Sequence, residues 1–154
     1  MRFRRVASDV WQMVPGGGRH PRRSEREHQR RAVGPQRSRD LVLTFISAWA
    51  HDDRATLDAL STTDLTCRWS GFGAEPETAQ GLEEVIRHGR DFERRYGRGE
   101  RYRLVESMGG QRHAAILFEP DGTHPEGGHA ARIAVYRLEG ERIAAIAVYG
   151  DLLD

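Results

Sequence analysis

The chain has 154 residues, of which 38% are hydrophobic and 31% are charged, a balance typical of one globular domain. It has a single cysteine, Cys67, and no apolar run of the roughly 18 residues that a spanning helix needs. A membrane partner, a disulfide framework and a cysteine-rich zinc module are therefore excluded, and the cytosol is the expected compartment. The net charge of +1 combines two unequal parts, since residues 1–38 hold ten arginines against three acids and residues 39–154 hold fourteen against twenty.

The N-terminal part lacks the composition of a folded segment. Residues 15–31 contain no Ala, Val, Ile, Leu, Met, Phe, Trp, Tyr or Cys, and prolines and glycines interrupt any regular element that starts there. Such a segment cannot offset an ordering entropy of about 1–2 kcal/mol per residue. The sequence predicts a disordered, arginine-rich tail over residues 1–38 and a domain over 39–154. The tail could bind phosphates through its guanidinium groups, but its basic part has no interleaved aromatic residues, so a nucleic-acid partner is disfavoured.

The first predicted helix starts at Ser38, whose hydroxyl suits the N-cap position. Its apolar residues follow the i, i+3, i+4, i+7 spacing of one helix face, namely Val42, Phe45, Ile46 and Trp49. Asp52 and Asp53 end this helix and can cap a short second helix, whose Leu57 and Leu60 face the same core. Residues 64–70 then alternate as expected for a half-buried strand. One face of this strand carries Leu65, Cys67 and Trp69.

A third helix is predicted from about Leu82 to Tyr96, after a loop over residues 71–81. Two glutamates occupy its first turn and two arginines its last, as the helix dipole favours, and Gly97 follows as a stop. Its apolar face consists of Leu82, Val85, Ile86 and Phe92.

Four further strands are predicted at residues 101–107, 113–119, 129–138 and 142–149, with glycine-containing turns between them. Helices followed by a strand meander indicate an α+β fold, with a curved antiparallel sheet wrapped around the helices.

The last hairpin predicts two largely apolar faces. A sheet with one solvated face would carry polar residues there, so we expect the helices to cover one face and a second subunit to cover the other, forming a homodimer through the outer sheet face. With Glu139-Gly140 as the loop, the helix-facing pairs would be Tyr136 with Ile143, Ala134 with Ala145, Arg132 with Ala147 and Ala130 with Tyr149.

Small side chains on the inner face would leave volume for a ligand. An apolar cavity with a few polar groups is typical of a small-molecule site. The alanines could instead serve only to let a helix pack closely against the sheet.

Several short segments are informative beside the order of helix, short helix, strand, helix and strand meander. They are Phe45 to Trp49 with Asp52-Asp53, Thr66 to Trp69, Gly81 to Val85, and Ala147 to Asp151. With that order, they resemble the nuclear transport factor 2-like superfamily, and within it the SnoaL-like and ketosteroid isomerase-like enzymes. The resemblance covers residues 39–154 and implies a cone-shaped sheet wrapped around three N-terminal helices.

The resemblance also allows the isomerase's catalytic positions to be compared. The oxyanion-stabilising tyrosine, the general-base aspartate and the protonated aspartate of those enzymes correspond here to Phe45, Trp69 and Ala134. None of the three can ionise or take a substrate proton, so steroid-type isomerisation is disfavoured. The Arg-x-Asp pair of the superfamily's epoxide hydrolases is reduced to Arg132 without the acid.

Two residues remain as candidates for proton transfer, His113 at the start of a strand and Asp151 after the last strand. Either could instead be an ordinary surface residue, which is the more common role for such positions. The loop over residues 121–129 collects histidines and carboxylates that suit a metal or simply water, and neither a metal nor another cofactor is expected.

The sequence thus predicts a SnoaL-like protein that binds, and could transform, a small hydrophobic metabolite. The alternative is a non-catalytic ligand-binding or dimerisation module of the same fold. Trp49, Trp69 and Tyr136 could stack on a flat ligand or simply pack in the core. The predicted ligand-binding residues are Phe45, Trp49, Trp69, Arg132, Ala134, Tyr136, Ala145, Ala147 and Tyr149.

Overall fold

The computed structural model describes residues 2–5, 11–14, 32–72, 75–96, 102–120 and 131–150. The chain divides into two units, Met1–Arg30 and Arg31–Asp154. The first unit contains two antiparallel strands, β1 (Arg2–Arg5) and β2 (Trp11–Val14), with Arg2 opposite Val14. Their presence differs from the expected disordered tail, because residues 1–14 are richer in β-branched and aromatic residues than the segment behind them. That segment, residues 15–31, lies outside the described residues.

The second unit starts its first helix earlier than predicted. Helix α1 spans Pro35–Ala50, and Gly34 is its N-cap. Proline suits the first helical turn because its missing N–H needs no partner there. Ser38 is therefore not the N-cap, and the predicted boundary at residue 38 falls inside α1. The Ser38 side chain is fully buried, and the described residues give its hydroxyl no hydrogen-bond partner.

The other two helices confirm the sequence patterns. Helix α2 spans Arg54–Leu60, and the Asp53 carboxylate caps it by accepting a hydrogen bond from the Thr56 N–H at 3.1 Å. Helix α3 spans Leu82–Tyr96 with the charged ends that the sequence predicts. The predicted stop at Gly97 lies outside the described residues. None of the helices among the described residues is long and apolar enough to cross a membrane.

Six strands form the main sheet, namely β3 (Ser61–Ser70), β4 (Glu77–Gln80), β5 (Tyr102–Gly109), β6 (His113–Pro120), β7 (Arg132–Glu139) and β8 (Arg142–Tyr149). Their order in the sheet is β4-β3-β8-β7-β6-β5. Neighbours are antiparallel except β3 and β8, which run parallel, so the sheet is mixed rather than wholly antiparallel. The strand β4, which pairs with β3, falls in a segment predicted as loop.

The helices cover one face of this sheet. Helix α1 packs on β5 and β6, and α3 packs on β3 and β4. The core lies between the helices and this helix-facing side, which confirms the α+β architecture. Its most buried members include Val42, Phe45, Leu57, Leu65, Val85, Ile116, Leu138 and Ile143.

The register of the last hairpin differs from the prediction. Its loop is Gly140-Glu141, and Gly140 has a φ of 59°, so Leu138 lies opposite Ile143. A bulge follows, because Arg137 pairs with Ala145 and leaves Ala144 as an extra residue. Because side chains alternate along a strand, one extra residue moves every later side chain to the face opposite the predicted one.

Candidate functional site

A cavity of about 820 Å³ lies between α1, α3 and the helix-facing side of the sheet. Helices α1 and α3 form its walls, and β3, β6, β7 and β8 form its floor. Its lining consists of Phe45, Ile46, Trp49, Ala50, Cys67, Trp69, Val85, Gly89, Arg90, Phe92, Glu93, Arg94, Phe118, Arg132, Ala134, Tyr136, Ile146 and Val148.

Strand register explains how the floor is assembled. Ile146 on β8 pairs with Cys67 on one side and with Tyr136 on the other, so these three side chains lie side by side. Two residues along, Val148 is flanked in the same way by Trp69 and Ala134. Because positions two apart share a face, both rows point toward the helices. The small Ala134 methyl leaves space above the second row.

Aromatic rings surround this space. The Phe45 ring meets Tyr136 edge-on at 6.1 Å between centroids, and Trp69 stacks on Phe92 at 5.8 Å. Such offset and edge-to-face contacts are favourable arrangements of aromatic rings. A flat, apolar molecule would meet similar ring faces and edges inside the cavity.

The end of α1 is joined to α3 beside the cavity. The Trp49 indole N–H donates to the Glu93 carboxylate at 2.7 Å, and the Arg90 guanidinium lies 4.9 Å from the Trp49 ring centroid. Arg90 also donates to the Trp49 carbonyl at 2.6 Å and to the Asp52 carboxylate. A Cβ on Gly89 would lie 2.6 Å from Trp49 ring carbons, so only glycine permits this close approach.

A buried guanidinium contributes the positive charge of the floor. Arg132 is only 9% exposed, and its guanidinium carbon lies 5.2 Å from the Phe72 centroid and 5.9 Å from the Phe92 centroid. These distances are those of cation–π contacts. The two rings therefore hold Arg132 at the lining.

The titratable groups in the depth of the cavity stay protonated at neutral pH. Burial raises the pKa of the Cys67 thiol. Burial, together with the neighbouring Cys67, raises the pKa of the Tyr136 phenol. The Tyr136 phenol is therefore a neutral hydrogen-bonding group at the floor.

Similarity to known proteins appears in structure and not in sequence. Neither a protein-family model nor a curated protein matches the chain. A protein from Kribbella flavida, whose assignment as a ketosteroid isomerase is provisional, matches with a TM-score of 0.59 and 9% identity, over 80% of this chain and 83% of its own. A nuclear transport factor 2-like protein of unknown function from Cytophaga hutchinsonii has a TM-score of 0.53 and 15% identity, over 74% and 99%. An LEH-like epoxide hydrolase from M. tuberculosis has a TM-score of 0.50 and 17% identity, over 76% and 84%.

The chain has the nuclear transport factor 2-like fold. Proteins of one fold differ widely in ligand and activity, so the shared architecture must be combined with the chemistry of this cavity.

In this nuclear transport factor 2-like fold, six of the nine predicted ligand-binding residues line the cavity. They are Phe45, Trp49, Trp69, Arg132, Ala134 and Tyr136. The positions compared with the isomerase's acid and base thus face the cavity with side chains that cannot ionise.

Three predicted residues are not part of the lining. The bulge at Ala144 places Ala145, Ala147 and Tyr149 on the outer face, where Tyr149 is 43% exposed. Ile146 and Val148 occupy the positions that the alanines were expected to fill. The side chains that β8 contributes to the floor are therefore larger and more hydrophobic than predicted.

Neither of the predicted proton-transfer residues is among the described lining residues. His113 is exposed at the start of β6, opposite Arg137, and is not part of the cavity lining. Asp151 lies outside the described residues, as does the loop over residues 121–129. Within the described ranges, no three His, Cys, Asp or Glu side chains gather as metal ligands.

The contribution of α3 was missed from the sequence. Val85, Gly89 and Phe92 all face the cavity, at the i, i+4, i+7 spacing of one helix face. An isolated glycine inside a helical pattern often marks a close packing contact, so Gly89 was the available signal.

Proposed function

We propose that the protein binds a small molecule with an apolar, ring-containing body in the cavity between α1, α3 and the sheet. The observation that carries the proposal is the volume of about 820 Å³, lined by six aromatic side chains. This size lies within the range of about 300–1,000 Å³ that ligand sites occupy. A core without a ligand-binding role would be packed closely enough to leave few voids larger than a water molecule.

The polar groups support recognition more than proton transfer. Glu93 is the sole carboxylate of the described lining, and it already accepts hydrogen bonds from Trp49 and Arg90. The raised pKa values of Cys67 and Tyr136 keep both side chains neutral near pH 7. Tyr136 can donate a hydrogen bond to a carbonyl or ether oxygen at the floor, which fixes the orientation of a ligand.

An NMR titration with the neutral probe 1-naphthaleneacetamide tests this proposal. Backbone amide shifts should saturate, and along β8 they should be largest at Ile146 and Val148. Ala145 and Ala147 are matched controls in the same strand, because they point away from the cavity. Shifts that do not saturate at millimolar probe, or that are equal on both faces of β8, would overturn the proposal.

We also propose that the outer sheet face pairs with a second copy of the chain. Ile133, Val135, Ala145 and Ala147 present an apolar surface there, and Tyr149 remains 43% exposed beside them. A contiguous apolar patch on one sheet face favours association. Light scattering should give twice the chain mass, and Ala147→Arg should reduce it to one chain. A single-chain mass for the unaltered protein at micromolar concentration would overturn this proposal.

A further inference from the structure

The mouth of the cavity lies between the last turn of α1 and the second half of α3. Among the described lining residues only Ala50, Glu93 and Arg94 are exposed, whereas residues of the floor such as Cys67 and Tyr136 are buried. A ligand that reaches the floor therefore passes between these two helices.

The Trp49 side chain lies across this mouth. Trp49 precedes Ala50 on α1, and its indole N–H donates to the Glu93 carboxylate on α3, with 2.7 Å between Nε1 and Oε1. The ring carbons Cζ2 and Cη2 lie so close to Gly89 that a Cβ there would be 2.6 Å from them. Because Gly89 and Glu93 are four residues apart, they share one face of α3, and the indole lies along about one turn of that face.

The bond that holds the indole is separate from the bonds that join the two helices. Arg90 donates to the Trp49 carbonyl at 2.6 Å and to the Asp52 carboxylate, so it ties α3 to the backbone at the end of α1. The indole is held by its hydrogen bond to Glu93 and by ring contacts. Its ring lies 4.9 Å from the Arg90 guanidinium carbon and 6.5 Å from the Phe45 ring, between centroids in the second case. Rotation of the Trp49 side chain would break the bond to Glu93 while Arg90 keeps the helices in place.

We propose that Trp49 is a gate of the cavity, closed when its indole N–H is bonded to Glu93 and open when the side chain turns away. The gate rests on the proposed function, because it controls how a ligand enters and leaves the same site. A hydrogen bond to a charged group favours the closed state by about tenfold or more. Entry and release should therefore both wait for the same side-chain rotation.

Stopped-flow fluorescence with 1-naphthaleneacetamide tests the gate through the rate constants of association and dissociation. We expect Glu93→Ala to raise both rate constants about tenfold, because the gate must open for entry and for release. Glu93→Gln should raise both by less, since its amide oxygen still accepts the indole N–H. Glu84→Ala is the matched control and should change neither. Glu84 is a carboxylate on the same helix that pairs with Arg87 and does not line the cavity.

A second variant removes the same bond from the other side. Trp49→Phe deletes the indole N–H and keeps an aromatic ring, and it should raise the association rate constant at least as much as Glu93→Ala does. The double variant should add little to Trp49→Phe alone, because both substitutions remove one shared interaction. Increases that multiply in the double variant would overturn the gate.

The outcomes separate the gate from the proposed function. An association rate constant that Glu93→Ala leaves unchanged would overturn the gate even if dissociation became faster, because loss of a ligand contact acts mainly on release. Equal effects of Glu93→Ala and Glu84→Ala would overturn it as well. In both cases the cavity would still bind the probe. Failure of the unaltered protein to bind the probe would overturn the proposed function, and the gate with it.

Discussion

Filling the cavity with a larger side chain should weaken ligand binding without destabilising the fold. Ala134 is 3% exposed on the floor, and Ala134→Leu would add three carbon atoms that point into the empty space. Burying three methylene-sized groups gains about 2.4 kcal/mol, and restricting the leucine rotamers costs about 0.5–1 kcal/mol. We expect the free energy of unfolding to rise by about 1–2 kcal/mol and binding of 1-naphthaleneacetamide to weaken at least tenfold.

Ala114 supplies the matched control for this substitution. It is 2% exposed on the helix-facing side of the neighbouring strand β6, but it is not part of the cavity lining. A leucine there would overpack the core and cost about 1–3 kcal/mol. Urea denaturation followed by far-UV circular dichroism measures both variants, and their midpoints should differ by about 1 M or more. Equal destabilisation by the two leucines would show that no cavity lies above Ala134.

Three further predictions concern packing and titration. Gly89→Ala should lower the free energy of unfolding by about 1–3 kcal/mol and shift the tryptophan emission, because its methyl would displace the Trp49 ring; an unchanged spectrum would contradict the close contact. Asp53→Ala should lower the urea midpoint at pH 7 but not at pH 2. Hydrogen bonds from Thr56 lower the pKa of Asp53, so its contribution is present above the ordinary aspartate pKa and is lost as the pH falls; an equal effect at both pH values would contradict this. The unfolding free energy should fall as the pH rises above about 8.5, because burial raises the pKa of Cys67, and Cys67→Ala should flatten this dependence.

The helices and most strands could be predicted because their signals are local. The charged ends of α3 and the Asp53 cap of α2 depend on neighbours within one or two turns, so sequence spacing is enough to place them. Strand β4 left no such signal. Of its four residues only Ala79 is buried, and its pairing with β3 is a tertiary contact rather than a periodic pattern.

The residues that line the floor were predicted correctly on β7 and incorrectly on β8. A single extra residue in β8 accounts for the difference. Arg132, Ala134 and Tyr136 face the helices as predicted, because alternation along one strand needs no knowledge of its partner. The bulge at Ala144 cannot be recognised in a run of small and branched residues such as Ile143 to Val148. One extra residue was enough to move Ala145, Ala147 and Tyr149 to the outer face.

The binding site itself is best examined in a crystal structure of the chain grown with 1-naphthaleneacetamide. We expect the naphthalene ring between α1, α3 and the sheet, within about 4 Å of Phe45, Trp69 and Tyr136. Helix side chains packed against Ala134, with no space left for the ring, would overturn the proposed ligand site.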